Sequence, residues 1–69
     1  MKEQYRNRIE KAVFEYKLHC KDATFEEALN ESIQITNYNF NTNIKESEFN
    51  EKELTILKSR FNEAGNIQR

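Results

Sequence analysis

The sequence predicts a small all-α domain of three helices. Three observations lead there: a helix-spaced apolar stripe in the first third, two helix-capping signatures further on, and a lack of helix breakers. The 69 residues contain one Gly and no Pro. The apolar fraction of 36% is low for a globular domain, but the apolar residues are too regularly spaced for disorder. The expected organisation is one domain over 1–69, with helices at about 2–21, 24–36 and 48–64 and a frayed tail at 66–69.

The first helix rests on Tyr5, Ile9, Ala12, Val13, Tyr16 and Cys20. Their spacing places them in one sector about 100° wide, as an amphipathic helix requires. On this pattern Cys20 is a small hydrophobe at the core or its edge. A break follows at 21–23. Thr24 then offers an N-cap hydroxyl, and Glu27 three residues on completes a capping box, with Glu26 adding favourable charge at the helix start. Phe25, Ala28, Leu29, Ser32, Ile33 and Thr36 share the inward face of this second helix. A third helix starts at Ser47 or at Asn50, whose spacing to Glu53 also resembles a capping box. Leu54, Leu57, Phe61 and Ala64 line its face, and Gly65 falls where a left-handed residue would end it.

Residues 37–43 alternate Asn with Tyr38, Phe40 and Thr42. The period of two is a strand signal, whereas Asn favours turns over strands. The favoured reading is a polar connection whose aromatics tuck under the helices. The alternative is a short extended segment at 37–44 pairing with a second copy or a target sheet.

Composition bounds the function. The formal net charge of −1 gives no overall pull toward nucleic acid or anionic membrane. One Cys excludes an intramolecular disulfide scaffold, and no run approaches the roughly 20 apolar residues of a membrane span. The first residues lack the apolar core of a signal peptide, so a cytoplasmic protein is expected. Phe, Tyr, Met, Ile, Asn and Lys number 31 against 9 for Gly, Ala, Arg and Pro, a balance typical of A+T-rich genomes such as low-G+C bacteria and their phages. The neutral total hides an uneven distribution. Residues 1–22 hold six basic and four acidic groups, residues 23–53 hold two and seven, and residues 54–69 hold three and one. Either the acidic middle packs on the basic first helix, or it meets a basic partner.

No catalytic, cofactor or metal site is expected. His19 and Cys20 are adjacent and therefore diverge on a helix, and Glu15 with His19 supplies two ligands at most, so a surface pair of His19 with Glu15 or Asp22 is the simpler expectation. DNA binding is disfavoured because Glu26, Glu27, Glu31, Glu46 and Glu48 surround the Asn-rich stretch. The informative residues lie off the main stripes: Phe14 and Leu18 on the first helix, Ile35 on the second, and Phe49 and Ile56 near the third. A 69-residue monomer cannot bury them all, and an apolar patch rimmed by charge fits another protein.

The expected function is a small protein-binding regulator or inhibitor of phage or mobile-element type that occludes a bacterial target, with a homodimeric DNA-binding regulator as the alternative. The partner-binding candidates are Phe14 and Leu18 as anchors with Lys11 beside them, Tyr38 and Phe40 as an aromatic segment, and Glu27 and Glu31 as steering charge.

Overall fold

In the computed structural model, which describes residues 1–67, the chain forms α1 (Glu3–His19), α2 (Phe25–Phe40), a 3₁₀ turn (Glu46–Glu48) and α3 (Glu51–Asn66). Its radius of gyration, 11.3 Å, matches the value of about 11 Å for a compact chain of this length. Helix α1 is the shared wall. Both α2 and α3 pack along it, and they touch each other far less.

The predicted stripe of α1 provides the contact. Ile9 and Val13 are fully buried, Ala12 is buried, and Tyr5 and Tyr16 lie half-buried against the core. Cys20 is the exception. It is exposed and caps the C-terminus of α1, because the helix stops one residue before the stripe would carry it inward. Across from α1 stand Ala28, Leu29 and Ile33 of α2, Leu57 of α3, and Ile44 and Phe49 from the segment between them.

Both capping boxes form. The Glu27 N–H donates to Thr24 Oγ1 at 3.2 Å, and the Thr24 N–H donates to Glu27 Oε1 at 2.9 Å. At α3 the Glu53 N–H donates to Asn50 Oδ1 at 2.8 Å, and the Asn50 N–H donates to Glu53 Oε1 at 3.0 Å. Of the two possible starts for α3, Asn50 is thus the one used, and Ser47 sits inside the 3₁₀ turn. Phe49, expected off the core, is buried at 6% exposure. It precedes the helix in extended backbone, so helical spacing does not govern its direction. With Leu54 it takes the two positions of a hydrophobic staple, which sets the angle at which the chain enters the helix. Ala23 and Ala28 repeat that arrangement at α2.

The Asn-rich stretch is neither strand nor connection at first. Helix α2 continues four residues beyond the expected end, through Phe40, and Asn41 ends it in the left-handed region at φ 54°. Asn tolerates that conformation better than other residues with a side chain. The Thr42 N–H returns to the Asn37 carbonyl at 3.1 Å, the six-to-one bond of a Schellman ending. Asn37 also secures the chain beyond the helix end. Its Oδ1 accepts from Thr42 Oγ1 at 2.9 Å and from the Ile44 N–H at 2.8 Å, and its Nδ2 donates to the Ile44 carbonyl at 3.0 Å. Ile44 is thereby delivered to the core with its backbone groups satisfied.

Gly65, expected to end α3 in a left-handed conformation, is helical, and the helix runs one residue past it. A Cβ there would stand 3.5 Å from Lys17 Cε, an ordinary contact. Gln68 and Arg69 of the expected tail lie outside the described residues.

Two consequences are measurable by chemical denaturation. Asn37→Ala leaves both backbone groups of Ile44 without their partner and costs about 1–3 kcal/mol. Gly65→Ala removes backbone freedom from the unfolded chain at a helical position with room for a methyl group, and adds about 0.5–1 kcal/mol.

Candidate functional site

Chemistry-bearing residues do not converge. Among the described residues no group of three His, Cys, Asp or Glu side chains could hold a metal ion. Cys20 and His19 are both exposed at the end of α1. The expected surface pair of His19 with Glu15 or Asp22 does not form, since every ion pair among the described residues uses an arginine. Beside Cys20 lies the Tyr16 phenol. Burial pushes its pKa above the ordinary value, and Cys20, Glu31 and Glu27 push it the same way.

The antiparallel run of α2 along α1 and the parallel run of α3 set the surface geometry. Tyr5 near the start of α1 meets Phe40 at the end of α2, with ring centroids 5.4 Å apart. Arg6 of α1 lies 3.8 Å from Glu53 at the start of α3, and Glu10 accepts from Arg60 further along.

Between α1 and α3 runs an open groove of about 340 Å³, lined by Asn7, Glu10, Lys11 and Phe14 of α1 and by Arg60 and Glu63 of α3. Arg60 organises it. Its Nε donates to Glu10 Oε1 at 2.9 Å and its Nη1 to Glu63 Oε1 at 3.0 Å. These bonds favour the charged guanidinium and raise its pKa. Lys11 takes part in no ion pair among the described residues. Phe14 gives the groove its aromatic wall, and half-buried Leu18 follows one turn later on the same side of α1. Ile56 of α3 at 39% exposure and the C-cap residue Ile67 at 51% continue the stripe of Arg60 and Glu63 in steps of four, three and four residues.

The outward side of α2 is a separate surface. Tyr38 stands there at 89% exposure and Ile35 at 43%, with Glu31 one turn from Ile35 and Glu27 a turn beyond. Glu27 serves double duty, because its carboxylate also closes the α2 capping box.

The seven candidate residues therefore divide. Lys11, Phe14 and Leu18 share the outward side of α1; Glu27, Glu31 and Tyr38 share the outward side of α2. Phe40 turns sideways onto Tyr5 and belongs to neither surface. The 37–44 segment contributes no residue to the Phe14 groove, so it does not cover Phe14. Helix α2 of the acidic middle packs along α1, and the Lys17 ammonium of α1 donates to the Ala23 carbonyl. Among the described residues the one ion pair of the acidic middle to α1 is Glu53 with Arg6. Glu10, Arg60 and Glu63 were not among the expected site residues. The three-residue spacing of Arg60 and Glu63 hints at their pair, but Glu10 joins only through the α1–α3 register.

Comparison with family models, with curated proteins and with solved structures returns no match for this chain. No helix among the described residues is long and apolar enough to cross a membrane.

The raised Tyr16 pKa has a pH signature. The stability it contributes is fully present below the unfolded value of about 10 and is lost as pH rises through the higher folded value. Tyr16→Phe removes that loss, so urea midpoints of the variant fall less than those of the wild type between about pH 9 and about pH 11.

Proposed function

We propose that this chain is a small protein-binding regulator or inhibitor of phage or mobile-element type, which acts by covering a surface of a bacterial target protein. The observation that carries the reading is the outward side of α2. An almost fully exposed Tyr38 and a part-exposed Ile35 stand on a helix, Phe25–Phe40, that contains no Lys or Arg. A tyrosine held on a helix presents large apolar area and a hydroxyl while losing little conformational freedom on binding, the properties of an interface anchor. Glu27 and Glu31 on the same side supply charge of one sign, which steers and orients a basic partner more than it adds affinity. The fitting partner is a protein surface with an apolar slot rimmed by Lys or Arg.

The A+T-rich composition directs the search to low-G+C bacteria. The test immobilises the wild-type chain beside Tyr38→Ser and a Glu27→Gln/Glu31→Gln double variant and passes such a lysate over all three. The expected result is a protein retained by the wild type, lost with Tyr38→Ser, and released at lower salt by the charge variant. Circular dichroism of Tyr38→Ser stays unchanged, since its side chain supports no packing. Retention that is identical on all three, or strong salt-sensitive shifting of nonspecific DNA by the wild type, overturns the reading; the second result favours a DNA-binding regulator.

A further inference from the structure

A second surface asks for a different occupant. We infer that the α1–α3 groove is a self-association surface, and that a second copy of this chain docks face to face on it. The charges of the two surfaces separate the candidates. The outward side of α2 carries one sign only, so two copies meeting there repel. The groove carries both signs in a self-matching order. Glu10 and Glu63 share one arginine, Arg60, which leaves that trio with one negative charge in excess. Lys11, on the same groove and outside any ion pair among the described residues, is one positive charge in excess.

A two-fold interface uses the same patch on both copies, so the patch must contain both halves of every contact. Here it does. Helices α1 and α3 run parallel, and a two-fold axis along the groove lays α1 of each copy over α3 of the other. Lys11 of one copy then stands over the Arg60–Glu63 pair of the second at similar height, because Glu10, its neighbour, already meets Arg60 within the copy. The excess charges cancel twice. Phe14 lines this arrangement in each copy, and the exposed Ile56 of α3, with Ile67 just past its end, faces the second copy's α1. A stable interface covers about 800 Å² per partner, about one-sixth of this chain's 4822 Å² surface. Two helices of 16 and 17 residues lying side by side, each about 25 Å long, are wide enough to supply that area.

The mass of the full chain, followed by sedimentation equilibrium over a concentration series, tests this. The wild type is expected to move from monomer to dimer. Lys11→Glu and Glu63→Lys each set like charges against each other and weaken the dimer by about tenfold or more. An equimolar mixture of the two variants regains the dimer, since each supplies the charge that the other lacks, and a variant that had merely unfolded could not do this. A wild type that stays monomeric throughout, or a mixture no more associated than either variant alone, overturns the inference. Neither outcome touches the α2 surface, whose test uses Tyr38, Glu27 and Glu31.

Discussion

The interaction on which this molecule depends is the packing of one side of α1 against two helices that scarcely support each other. Ile9 and Val13 are fully buried because Leu29 and Ile33 close one flank and Leu57 closes the other. Each buried aliphatic side chain contributes about 1.5–3 kcal/mol, and a chain of this size hides only about 60% of the surface it exposes when unfolded. The core is therefore thin, and helix ends matter more than in a large domain. Two capping boxes and two staple-type pairs at the starts of α2 and α3 fit that need. Among the described residues the buried Thr36 hydroxyl has no hydrogen-bond partner, whereas nearby Ser32 donates to the Ala28 carbonyl at 2.7 Å.

Asn37 solves the second problem, which is how to bring the chain from the end of α2 to the start of α3 without a glycine or proline. Its carbonyl closes the helix and its amide side chain holds the backbone of Ile44, so one residue fixes both the exit from α2 and the depth of the next core contact. The short 3₁₀ turn then sets Phe49 against the core ahead of α3.

These details explain what can be read from the amino acids and what cannot. The stripes of α1, α2 and α3 are legible because helical spacing is local, and the caps are legible because they lie within four residues. The end of α2 is not. Alternating Asn residues resemble turn sequence, and nothing local shows that Asn37 bonds to a residue seven positions away. Phe49 escapes a helical pattern because it lies outside the helix, and Gly65 misleads because glycine ends helices more often than it fills them. For the candidate site, sequence identifies Phe14, Leu18 and Ile35 as surplus to one core, whereas it expects the aromatic of Tyr38 to tuck under the helices, and Tyr38 is instead exposed. It cannot assign these residues to different sides, which depends on α2 running antiparallel to α1 and α3 parallel to it. Glu10 with Arg60 is beyond reach for the same reason, being fifty residues apart in sequence.

The two ends of the bundle are built differently. At one end the Tyr5–Phe40 ring contact and the Asn37 network hold the chain. At the other, a single ammonium does much of the joining. Lys17 Nζ donates to the Lys21 and Ala23 carbonyls in the α1–α2 link and lies 4.9 Å above the Phe61 ring of α3. Phe61 in turn meets Phe25 of α2 edge-on at 5.7 Å. One side chain thus ties together the last turn of α1, the loop and the far end of α3. Removing the Lys17 ammonium therefore takes away all three of these contacts at once and leaves the Asn37 network untouched.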